Sequence, residues 1–178
     1  MLRLTLVALL LTAGDPEGDH EYVSLTVYDD TIQNAHRAYR QEQYDDAFKF
    51  YSQCARWGEK DCQQMLGVLY LAGRGTSVDI VEGYVWLKLA AESGDRSMKD
   101  TLKRAESSIP EAAVDAGEEL YEEYLPLYGM DAMGIRCIRR RVGDSARRDL
   151  VCERPRDLRT TNFKIPGYAM IGEEESGG

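Results

Sequence analysis

The chain has 178 residues, with 31 acidic against 22 basic side chains, four cysteines, two histidines and a formal net charge of −9. That length suffices for one domain with a real core, and the acidic balance argues against nucleic acid as a partner. The charge is unevenly placed. Residues 136–164 hold nine Arg and one Lys against Asp144, Asp149, Glu153 and Asp157, which is +6 and leaves −15 elsewhere, so the molecule has two electrostatic ends.

The chain opens on MLRLTLVALLLTA, where Arg3 precedes an apolar run from Leu4 to Leu11. The run is too short to span a bilayer and has the shape of a secretory signal peptide, so 1–14 is a predicted signal peptide and the protein is expected in the periplasm or outside the cell. LTAG is like the start of a lipoprotein box, but Asp15 stands where the acylated cysteine would be. Residues 15–29 read as an acidic linker. Asp30 and Gln33 form a capping pair that predicts a helix to about Arg40, and QEQ turns the chain into a second helix from Tyr44.

CARWGEKDC, residues 54–62, places two of the four cysteines eight apart. By themselves they could be metal ligands, a redox pair or a staple. Cys62, Leu66, Leu69 and Tyr70 make one helix face that stops at Gly73, predicting a helix over 60–72. GRGTS, residues 73–77, is a connection; with no lysine after it and no strand before it, a phosphate cradle does not fit. Val78 and Asp79 open the next helix, whose stripe is Ile80, Tyr84, Leu87 and Ala91. A shift of 36 residues lays 44–58 over 80–94, a period that signals stacked helical units. Met98, Leu102 and Ala105 continue it, but Leu66-Gly67 becomes Leu102-Lys103, so the third unit is degenerate. Pro110 begins a capping helix with Ala113, Leu120, Tyr121 and Tyr124 on its buried side, closing near Pro126.

Residues 62–95 resemble a Sel-1-like repeat, a relative of the tetratricopeptide repeat. The family's places are taken by Cys62, Leu66-Gly67, Tyr70, Gly73 and Gly75, Asp79, Gly83, Trp86, Ala90-Ala91 and Gly94. Gly83 stands where the pattern has alanine and should soften its helix by up to about 1 kcal/mol. The likeness covers roughly 31–107. It implies an all-α fold, a short right-handed solenoid of helix hairpins over 30–126. Gly67, Gly83 and Ala91 would lack bulk where two helices approach closely.

Within that arrangement Cys54 ends one repeat and Cys62 starts the next, with Gly58 turning the chain between them. The pair then meets across a helix-loop-helix corner, and its spacing is similar to that of the cysteine-rich branch of the family, where it staples adjoining helices. A redox pair would favour Cys-x-x-Cys beside a strand, and zinc would want four ligands, whereas the only histidines are His20 and His36.

In the tail, Cys137 and Cys152 flank two short segments around VGDS, predicting a disulfide-pinned β-hairpin inside a basic module at 127–165. Arg139, Arg140, Arg141, Arg147 and Arg148 could dock an anionic polymer or membrane surface, or simply be solvated. Residues 166–178 read as a disordered tail. The usual nucleophile, zinc and phosphate motifs do not occur. No catalytic residue, cofactor or metal is expected, though a hydrolase acting on cell-wall material remains the alternative. Stacked hairpins offer a concave groove built from successive first helices, here His36, Tyr39 and Arg40, then Gln64, Val68 and Leu71. The expected function is a protein-interaction adapter in the cell envelope, partnered by another envelope or secreted protein.

Overall fold

The computed structural model describes residues 20–141, 143, 148–154 and 162–166. The predicted signal peptide, the start of the acidic linker, Arg147, most of the VGDS turn and residues 167–178 lie outside the described residues. Six helices follow one another: α1 (Leu25–Arg40), α2 (Tyr44–Arg56), α3 (Lys60–Ala72), α4 (Ile80–Ala91), α5 (Arg96–Glu106) and α6 (Glu111–Tyr128). Each of α1 to α5 packs on its neighbour in sequence, and α6 folds back onto α4. Four strands complete the described chain: β1 (His20–Val23), β2 (Arg136–Arg141), β3 (Arg148–Glu153) and β4 (Phe163–Pro166). The body is a short stack of helix hairpins, and β2 and β3 form the expected antiparallel hairpin, with Cys137 directly opposite Cys152.

The central repeat follows the sequence closely. α3 ends at Gly73 in the left-handed region (φ 61°), and Asp79 caps α4 by accepting from the Glu82 amide at 3.0 Å. Gly67 and Gly83 face each other: a Cβ on Gly67 would lie 2.7 Å from the Gly83 carbonyl oxygen. α4 is apolar nearly all round because α3, α5 and α6 cover it, burying Tyr84, Val85, Trp86, Leu87, Leu89 and Ala90.

The turn between α3 and α4 also joins this hairpin to the preceding one. Gly75 has φ 71°, and a Cβ there would strike the Tyr44 carbonyl and come within 2.9 Å of the Asp45 nitrogen. Those atoms begin α2 and cannot swing aside. Gly75→Ala should therefore cost about 3 kcal/mol, from strain in the left-handed region plus the collision. Gly94→Ala is the control, since Gly94 has φ 78° but its nearest neighbour is a lysine tip at 4.0 Å. Urea unfolding should show a clearly larger loss at Gly75; equal losses would refute the close approach.

Both disulfides form, Cys54–Cys62 and Cys137–Cys152, and among the described residues no cysteine is free. The first closes the corner between α2 and α3 with its Cα atoms 5.8 Å apart, and contributes about 2–3 kcal/mol in the chain-entropy model.

Three boundaries differ from expectation. α1 begins at Leu25, capped by Ser24 accepting from the Val27 amide at 3.2 Å, rather than at Asp30. Its buried stripe of Tyr28, Thr31, Ala35 and Ala38 starts upstream of Asp30, so residues 20–29 are strand and helix, not linker. α6 continues through Pro126 to Tyr128, and only Gly117 on it is fully buried, lying against the Tyr84 ring. Ala113, Leu120, Tyr121 and Tyr124 are half-buried. Finally, Pro166 belongs to β4, which pairs antiparallel with β1, Val23 opposite Phe163. This small sheet closes the core: Val23, Phe163 and Ile165 are buried, and the Phe163 ring lies 4.4 Å from Tyr28, which stacks on Trp57 at 5.5 Å.

A polar knot lies where α2, α4 and α6 end. The Lys60 ammonium, 3% exposed, donates to Gln63 Oε1 (2.9 Å), the Leu89 carbonyl (2.8 Å) and Glu92 Oε2 (3.0 Å). Gln63 Nε2 donates in turn to the Ala55 and Tyr128 carbonyls, and Glu92 Oε2 also accepts from the Met130 amide. One lysine and one glutamine thus satisfy carbonyls at three helix ends, groups that helices leave without intrahelical partners.

Candidate functional site

A polar recess lies between α2, α3, α4 and α6. It holds about 220 Å³ and is lined by Ser52, Arg56, Leu66, Tyr70, Glu82, Trp86, Tyr124 and Tyr128. Helical spacing builds it: Glu82 and Trp86 share one face of α4, and Tyr124 and Tyr128 share one face of α6. Trp86 packs against both tyrosines, at 5.5 and 5.2 Å between ring centroids, and Tyr124 meets Tyr128 edge-on at 5.3 Å.

Glu82 is the only carboxylate in this lining. Oε2 accepts from Trp86 Nε1 at 2.9 Å and Oε1 from the Tyr124 hydroxyl at 2.7 Å. Burial pushes its carboxyl above the ordinary range, while the two donors pull it down. The recess therefore offers a fixed acceptor and an arginine within an aromatic cage. It suits a side chain with an apolar or cationic body and a polar end better than a reaction that needs two carboxylates across a cleft.

The predicted groove residues fall into two groups. His36 Nδ1 lies 2.9 Å from the Tyr51 hydroxyl, and Tyr39 packs edge-on against Tyr44 and Tyr51 and accepts from Arg74 at 3.3 Å, so both face α2; Arg40 is exposed. Gln64 donates to Thr101 on α5 at 3.0 Å. Val68 and Leu71 border a shallow, mainly apolar depression of about 350 Å³ with Leu87, Thr101, Arg104 and Ala105. The recess between α4 and α6 was not anticipated, because its walls come from residues up to 76 positions apart, Ser52 to Tyr128. Trp86 and Tyr124 were visible in the sequence only as a repeat position and a capping-helix face.

On the hairpin, cross-strand partners share a face. Arg136 lies opposite Glu153 and Arg140 opposite Asp149, while Arg139 lies opposite Leu150 and Arg141 opposite Arg148. Arg140 is ion-paired with Glu153 along its own face. The other face carries the disulfide with Arg139, Arg141 and Arg148, all exposed, and no acid in its register.

Among the described residues no three His, Cys, Asp or Glu side chains converge as metal ligands, and no helix is long and apolar enough to cross a membrane. The chain is a helical-repeat protein with a disulfide-pinned appendage. No family model and no curated protein matches it. A solved structure similar to it is that of c5321, a protective antigen present in uropathogenic Escherichia coli strains and displaying an SLR fold. The identity is 16% and the TM-score 0.48, over 67% of this chain and 26% of that one, so the match spans about a quarter of that protein.

Proposed function

We propose that this chain is an exported Sel-1-like repeat protein that acts as a protein-interaction adapter in the cell envelope, without catalysis, and takes a side chain of its partner into the Trp86–Tyr124–Tyr128 recess. The composition of that recess carries the reading: Trp, Tyr and Arg are the residues that dominate binding energy at protein interfaces. The repeat pattern over 62–95 supports the family, and two disulfides suit an oxidising compartment. The Val68–Leu71 depression is a second contact surface in the same proposal.

A photo-crosslinking residue at Ser52 or at Arg104, in cells expressing the full chain, tests both surfaces. We expect one discrete protein adduct from Ser52 that disappears with Tyr124→Ala. Adducts from Arg104 alone would move the site to the depression, and none from either would overturn the adapter reading. A second reading, docking on anionic lipid or polymer, is favoured by the exposed Arg139, Arg141 and Arg148 face, which has no acid in its strand register. Sedimentation with anionic vesicles separates the two, since that attachment should fade as salt rises.

A further inference from the structure

A second cavity, of about 400 Å³, lies between α1, the stapled corner and the end of β3, away from the aromatic recess. Arg154, the residue after β3, projects its guanidinium there. Its Nε, Nη1 and Nη2 are all shielded from solvent, and among the described residues none has a hydrogen-bond acceptor. Its Cζ lies 5.9 Å from the centroid of the Tyr28 ring.

The other charges around this cavity already have partners or lie at its rim. Lys60 has placed all three donors on Gln63, Leu89 and Glu92. Arg140 is paired with Glu153. Glu59 accepts the Tyr28 hydroxyl at 2.6 Å, and Asp29 is exposed on α1. Burial lowers the Arg154 pKa while the Glu59 carboxylate acts on it through space in the opposite sense, yet a guanidinium stays charged in proteins, so among the described residues this is a buried cation none of whose five N–H donors has an acceptor. A buried guanidinium whose donors go unused is unfavourable, and its fork matches two oxygens of a carboxylate or a phosphate.

We propose that this cavity is a binding site for a small oxyanion, a carboxylate or a phosphate, held by Arg154. Leu25, Val151, Phe163 and the Tyr28 ring give it apolar walls, so the anion's carrier is small and partly apolar.

The test uses the full chain in buffers of equal ionic strength, with chloride replaced stepwise by acetate or by phosphate. Phosphate strengthens burial in any protein, so the criterion is the difference between wild type and Arg154→Met. We expect the wild-type melting temperature to rise with one of the two anions, and the probe that acts identifies the source. Arg154→Met should be at least as stable as wild type in chloride and lack that rise, because a buried cation with unused donors has been replaced by an apolar chain. Arg154→Lys, which keeps the charge but not the fork, should bind about tenfold more weakly or worse. A wild-type response equal to that of Arg154→Met for both anions would overturn the site. If Arg154→Met does not fold, NMR titration of the wild-type Arg154 Nε–H with each anion decides, and an unmoved signal overturns the proposal.

Discussion

Lys60→Ala will cost the fold about 3–5 kcal/mol, the range for breaking a buried ion pair from one side. Three acceptors lose their donor together: the Gln63 side-chain oxygen, the Leu89 carbonyl and Glu92, which is 18% exposed. Gln63, no longer held through its oxygen, is then less fixed for its bonds to Ala55 and Tyr128, so the loss spreads to the ends of α2 and α6. The measurement is urea unfolding of Lys60→Ala, Glu92→Ala and the double variant. The double variant should lose less than the two single losses combined, by about 1 kcal/mol or more. A Lys60→Ala cost below about 1 kcal/mol would show that the knot merely tolerates its charges.

The second large effect is alkaline. Tyr51 and Tyr121 are pushed up to about 12, and Tyr28, Tyr84, Tyr124 and Tyr128 are also raised, in every case first by burial. A group whose folded pKa lies above its unfolded value contributes stability that is complete below the unfolded value, here about 10, and is lost as pH rises through the folded one. Lys60 acts with the opposite sign. Burial lowers its pKa below 10.5, so its share of stability rises with pH between the folded and unfolded values. Six tyrosines outweigh one lysine, and chemical-denaturant midpoints should fall steeply between about pH 10 and 12. Tyr124→Phe and Tyr28→Phe should each flatten that fall. An unchanged slope in both would mean that the rings titrate as if exposed.

Much of the helical body could be read from the chain because its information is local. α3 carries its own stripe and its own glycine stop, and Asp79 lies where a cap must stand to begin α4. The Gly67–Gly83 contact was legible because the turn at 73–77 folds α4 back along α3 within one hairpin, and the first cysteine pair because Gly58 turns the chain between them.

What could not be read depends on contacts far apart in sequence. β1 and β4 have four residues each, too few to display alternation, and they pair across almost the whole chain. Lys60 looks like an ordinary solvated charge in GEKDC, since its acceptors Leu89 and Glu92 lie 29 and 32 positions away. Gly117 carries no signal in the sequence, because what requires a glycine there is the Tyr84 ring, 33 positions away. Of the candidate sites, sequence supplied residue types but not their assembly, because the recess needs α6 to fold back onto α4.

The β1–β4 pair also sets an order of events. Each helix hairpin can settle on the one before it through short-range contacts, which close cheaply and fast. β1 has to wait for a partner that comes last among the described elements. Until then Tyr28, which stacks on Trp57, lacks its cover from Phe163. The stack therefore grows from neighbour to neighbour, but its first helix is sealed only when nearly the whole chain is present, so a half-made copy carries a sticky aromatic face that the finished molecule hides.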